Sequence, residues 1–185
     1  MQSHQIEHII TLFNQCFKEP YKTELVRGEG EPIYLPSTAD GTLAKIEFAH
    51  GYFQSALHEI AHWCIAGEQR RELVDYGYWY HGDGRDKTQQ TQFEAVEVKP
   101  QALEWALSVC CGKGFSVSTD NLSGYASNRL AFQHRVFDQV QTYLNEGFPS
   151  RSLTLMEALS VFYFNSPSSE RLQLTNFSYR GMYER

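Results

Sequence analysis

Apolar residues first recur with the helical period. Ile6, Ile9, Ile10, Phe13 and Phe17 fall on one stripe, which predicts a helix over 4–18 with Ser3 as its N-cap. The period then changes. Thr23–Arg27, Pro32–Leu35 and Ala44–Ala49 read as extended pieces; in the last, Ile46 and Phe48 alternate with Lys45 and Glu47, and Gly28, Gly30, Pro36 and Gly41 supply turns. Residues 52–66 are apolar around most of a helical circumference, which predicts a mostly buried helix ending near Gly67. Leu73–Tyr80 is aromatic and strand-like, and a polar loop, His81–Lys87, follows it.

A helix is predicted from near Thr88 towards Val98. Pro100 suits the first turn of a second helix running through Leu107, because that turn does not use the missing N–H. The serine-rich stretch 116–127 reads as a loop. Leu130, Phe132, Val136, Phe137, Val140 and Leu144 mark a long amphipathic helix closed by Gly147, and 152–164 predicts another. No internal repeat interrupts this order. The fold class expected is α+β, a small mixed sheet packed against several helices.

Composition narrows the picture. With 185 residues, a single domain over 1–185 is expected, burying roughly two-thirds of the surface of the unfolded chain. Hydrophobic residues at 42% and charged residues at 21% exclude disordered and collagen-like classes. No apolar run approaches the ~20 residues of a membrane span, and MQSHQIEHII lacks the flank and core of a signal peptide. A formal net charge of -6 leaves no basic excess for phosphates, so neither nucleic acid nor a membrane is an expected partner. Cys16, Cys64, Cys110 and Cys111 form no CxxC pair; reduced thiols in the cytoplasm are expected, and zinc ligation by cysteine is not.

Local chemistry must carry the function. His58-Glu59-Ile60-Ala61-His62 is an HExxH motif inside the buried helix, a zincin-like arrangement. Residues four apart differ by only about 40° around a helix, so both imidazoles leave one face and can grip a single ion. Glu59, turned by roughly 100° from His58, is placed to act beside the ion rather than to ligate it. Two histidines need a third ligand, and sets with open positions add a carboxylate. Glu97, flanked by Val96 and Val98, comes first, since a carboxylate in apolar surroundings needs a compensating cation. Glu94 comes second, and Glu104, Asp75 and His81 remain open.

The run His58–Gly67, then Arg71–Tyr80, then Gly84-Arg85-Asp86, then Val96–Leu103 resembles the bacterial elongation factor P hydroxylase family. The similarity extends from Glu31-Pro32-Ile33-Tyr34-Leu35-Pro36 through Asp120-Asn121-Leu122, with less likeness in the last third. This resemblance implies a cytoplasmic, oxygen-consuming monooxygenase that hydroxylates a lysine of elongation factor P after the lysine has received a β-lysyl group. It implies iron held by His58, His62 and a glutamate matching Glu97 best. The residues agree: hydroxylating an unactivated C–H bond is beyond side-chain acids and bases and calls for a redox metal, here Fe(II) with dioxygen as co-substrate. Glu59 is then assigned to proton handling. No residue set for 2-oxoglutarate stands out, and the second electron pair has no assigned source.

Asp75, Tyr76, Tyr78 and Trp79 suggest a groove for a lysyl side chain, with aromatics on its methylenes and Asp75 near an ammonium; a half-buried strand is the plainer alternative. The Asp83–Asp86 loop either touches substrate or is a solvated turn. His50 either supports the metal residues or ends a strand, and His8 and His134 receive no role. Two other functions compete: a zinc metallopeptidase with Glu59 as general base, and a closed structural metal site with four protein ligands.

Overall fold

The computed structural model describes residues 3–77 and 82–177. Helix α1 (Ile6–Tyr21) leads into strands β1 (Thr23–Arg27), β2 (Ile33–Leu35) and β3 (Ala44–Phe48), and helices α2 (Phe53–Ile65), α3 (Lys87–Cys111), α4 (Arg129–Glu146), α5 (Ser150–Phe164) and α6 (Ser168–Arg171) follow. The fold is α+β. In the sheet β3 is central, parallel to β1 and antiparallel to β2.

Register explains which face is buried. Ile46 pairs with both Leu25 and Tyr34, and all three point into the core on the face that α1 and α2 cover. Alternation puts Lys45 and Glu47 on the opposite face, as the period-2 pattern requires. Trp63 of α2 packs among Phe13, Phe17 and Tyr21 of α1, with ring centroids 5.0–5.5 Å away. Helix α2 therefore stands inside the molecule, between the sheet, α1, α3 and α5.

Four expectations need correction. Ser3 does not cap α1; Gln5 occupies that position, and Ser3 instead offers its carbonyl to the Gln5 N–H and the His8 ring. Strand β3 stops at Phe48, because Ala49–Gly51 turns as a 3-10 segment with His50 at φ 48°. Residues 73–77 are not a strand: Gln69–Glu72 and Val74–Gly77 form 3-10 turns, with Leu73 and Val74 exposed. Strand propensity expresses side-chain packing on a sheet, and the exposed Leu73 and Val74 side chains have no such packing here. Asp75, at φ 50°, turns its carboxylate back to accept the Tyr34 N–H of edge strand β2 at 3.1 Å.

The fourth correction matters most for the site. Pro100 does not open a new helix; α3 is one helix of 25 residues with Pro100 inside it. An interior proline costs about 3 kcal/mol. Residues 101–111 are all buried, including Leu103 and Leu107, and each buried leucine contributes roughly 1.5–3 kcal/mol, which outweighs that cost. A capping box between Asp86 and Gln89 starts α3, and Gly112, at φ 72°, ends it. Helix α5 begins at Ser150, two residues before the expected start.

Candidate metal centre

Helix α2 holds His58 and His62 one turn apart, with their Nε2 atoms 3.2 Å from each other. Helix α3, packed against α2, brings in Glu97: Oε1 lies 3.2 Å from His62 Nε2 and Oε2 lies 3.6 Å from His58 Nε2. Among the described residues these three form the only group of at least three histidine, cysteine or acidic side chains able to converge on one ion. His62 and Glu97 are buried, while His58 is partly open to a cavity of about 1160 Å³.

The surroundings hold these groups in place. Glu104 Oε2 accepts from His58 Nδ1 at 2.9 Å. The Gln101 amide donates to Glu97 Oε2 at 3.2 Å and to the Ser118 carbonyl at 2.8 Å, while its oxygen accepts the Ser118 N–H. Glu97 Oε1 is shielded from solvent and faces the His62 ring nitrogen at 3.2 Å. A buried carboxylate oxygen in that condition suits a cation.

Charges follow from this geometry. Burial alone would strip His58 of its proton, but the hydrogen bond to Glu104 and the charges of Glu97, Glu104 and Glu59 outweigh it and push the pKa up to about 10. Burial alone would raise Glu97, yet the His62 ring, the His58 charge and the Gln101 amide hold it down at about 2. Glu59 is raised, chiefly by burial, against the pull of both histidines.

In metal-free protein, the His58 contribution to stability is full below its unfolded pKa of 6.5 and is lost as pH rises through about 10. The Glu97 contribution is full above 4.5 and is lost as pH falls through about 2. The gap in melting temperature between wild type and His58→Gln is therefore expected to shrink as pH rises from 6.5 to 10. For Glu97→Gln it should shrink as pH falls from 4.5. Differential scanning calorimetry of metal-free protein checks both, and gaps that stay constant with pH contradict the assignment.

The other candidates go elsewhere. Glu94 accepts from Gln90 and pairs with Arg135, so it does not join the group. Asp75 lines the cavity but is committed to Tyr34 N. Tyr78, Trp79 and His81 lie outside the described residues. His50 is exposed, with its ring near Tyr52. Cys64 is a buried thiol whose pKa burial pushes up to about 12, unsuited to ligation.

The Asp83–Asp86 loop is not a free turn. Arg85 is buried, stacked over Phe93 at 3.8 Å, and donates to Gln90 and to the Gly82, Thr119 and Asp120 carbonyls. Asn121 accepts the Gly84 and Arg85 N–H groups, and Asp83 accepts those of Leu122 and Ser123. Gly124 has no room for a Cβ against the Arg85 backbone. Together these bonds pin residues 116–125, whose Ser116, Ser118 and Asp120 wall the cavity.

Fold and site thus define a mixed helix-and-sheet protein whose candidate centre joins two imidazoles of one helix to a carboxylate of the next. The family model of elongation factor P hydroxylase matches residues 12–174. A protein of Haemophilus influenzae described as elongation factor P lysine hydroxylase is 51% identical over 160 residues, covering 86% of this chain and 90% of that relative. The chain belongs to the elongation factor P hydroxylase family. Neither comparison supports the hydrolase alternative, and among the described residues no fourth ligand completes a closed structural site.

Proposed function

We propose that this enzyme hydroxylates the lysine of elongation factor P in its β-lysylated form, as a cytoplasmic monooxygenase using Fe(II) and dioxygen. In this reading the 1–185 chain is one catalytic domain, and His58, His62 and Glu97 are the metal ligands on a zincin-like HExxH helix. The observation that carries it is the convergence of three donor atoms in a chain of this family. The residues fit an ion. Donors bound at about 2.1 Å and 90–109° apart stand roughly 3.0–3.4 Å from each other; here the two Nε2 atoms are 3.2 Å apart, Glu97 Oε1 is 3.2 Å from His62 Nε2 and Glu97 Oε2 is 3.6 Å from His58 Nε2, so each imidazole faces a different carboxylate oxygen. A ferrous ion with open positions would supply the dioxygen activation that C–H hydroxylation requires.

The chain's own residues do the rest. Among the described residues the cavity presents Glu31, Glu59, Asp75 and Asp120 against a single lysine, Lys113, so it favours the ammonium groups of a lysyl extension over an acidic ligand. Asp75 is assigned to one ammonium, and the Tyr78 ring to the methylenes. Glu59, raised by burial, is suited to holding a proton beside His58 and passing it on.

Iron-loaded protein with reductant and air is expected to add one oxygen to the mass of β-lysylated factor P. No gain with the wild type contradicts the proposal. Glu59→Gln is expected to slow this reaction about 10- to 100-fold, within the usual worth of a proton-transfer group, with ion affinity kept. Peptide cleavage abolished by the same substitution would return the motif to hydrolysis.

A further inference from the structure

Resting on the metal reading above, we propose that Glu104 is a positioning residue: it fixes the His58 ring so that Nδ1 keeps its hydrogen and Nε2, which faces His62 and Glu97, is the nitrogen left to bind an ion. Three observations carry this. Glu104 Oε2 stands 2.9 Å from His58 Nδ1, and a carboxylate can only accept, so Nδ1 must donate. Glu104 is buried, with a side chain only 11% exposed, so water competes weakly for that oxygen. It also reaches His58 from α3, the helix that supplies Glu97, seven residues along and on the same face.

The consequence is mechanical as well as electronic. An imidazole has two nitrogens, and either one can hold the hydrogen of the neutral ring. If Nε2 held it, the atom facing the other two donors would have no free pair. The Glu104 acceptor removes that choice and blocks rotation of the ring about χ2. It also makes Nε2 a stronger donor by drawing on the Nδ1 hydrogen. Because Glu97 and Glu104 lie two turns apart on one continuous α3, a single rigid helix presents both the ligand and the support. Pro100 lies between them, so the uninterrupted helix is a condition of this geometry.

The test uses Zn(II) as a diamagnetic probe on full-length wild type, Glu104→Gln and Glu104→Met. Affinity is measured by competition with a chromophoric chelator, and the imidazole nitrogens are followed by long-range 1H–15N NMR. Glu104→Gln keeps a neutral acceptor and Glu104→Met keeps only the shape. The expected order of affinity is wild type, then Gln, then Met, the last about 10- to 100-fold weaker than wild type. In wild type the Nδ1 hydrogen should give a downfield, slowly exchanging signal, and Glu104→Met should lose it while the metal-free melt stays cooperative. Affinity in Glu104→Met within about twofold of wild type, or an unchanged Nδ1 signal, overturns the inference. Wild type that binds no Zn(II) instead overturns the metal reading, a result separable from the first.

Discussion

Replacing Glu97 by glutamine is expected to weaken divalent-ion binding by roughly 100- to 1,000-fold and to stop oxygen transfer to factor P. The same change at Glu94 should leave both within about twofold of wild type. The size follows from the ligand count. Binding of a structural divalent ion is worth on the order of 10–16 kcal/mol, so one ligand's share is about 3–4 kcal/mol. Glutamine fills the space of glutamate, so the packing of α2 on α3 survives, yet it removes the charge that a bound ion would face and that His58 faces. Glu94 sits one turn earlier on the same helix, but its carboxylate pairs with Arg135 and Gln90. Competition titrations on the two variants separate these neighbours. Equal losses at both positions would show that geometry has not selected Glu97.

The second large effect is on stability. Arg151→Ala is expected to cost about 3–5 kcal/mol, lowering the melting temperature by roughly 10 °C or more. Arg151 is buried at the start of α5 and donates to the carbonyls of Trp63, Cys64 and Ala66 at 2.8, 3.0 and 2.5 Å. Those carbonyls end the helix that carries His58 and His62, where no further turn exists to satisfy them, and that of Ala66 also accepts from Arg71. The guanidinium also lies over the Trp63 ring at 4.5 Å, tying α5 to the aromatic cluster beneath the site. Alanine strands the Trp63 and Cys64 carbonyls, while that of Ala66 keeps its bond from Arg71 at 2.8 Å; lysine, with a point charge, should recover only part of the loss. A melt of Arg151→Ala within about 2 °C of wild type would show that other groups close the helix.

Much of this architecture was legible because it is local. The stripe Ile9, Phe13, Phe17, the alternation through Ile46 and Phe48, and the all-round apolar helix bearing HExxH each encode their own period. Burial confirms those three elements. Continuity of α3 was not legible. Proline's local penalty is plain in the sequence, whereas the burial of residues 101–111 that overrides it comes from tertiary packing, with α2, α4 and α5 all set against α3. Residues 73–77 failed for the converse reason: local strand propensity gave way to 3-10 turns, although edge strand β2 lies beside them.

The support around the site did have a signal. Gln90, Glu94, Glu97, Gln101, Glu104 and Ser108 follow a spacing of four, three, four, three and four, and all are buried. That is an amphipathic stripe with the polar face turned inwards. A search for apolar stripes passes over it, and reading the glutamates one at a time hides that the glutamines belong to the same row. Arg85 and Arg151 left no such trace. An arginine beside a loop or in a first helical turn reads as solvated until tertiary contacts bury it.

X-ray absorption at the iron edge of anaerobically loaded Fe(II) protein tests the central assignment most directly. One ion per chain is expected, bound by two imidazoles and further oxygen donors and by no sulfur. Fewer than two imidazoles, or a thiolate sulfur bound to the iron, would contradict it.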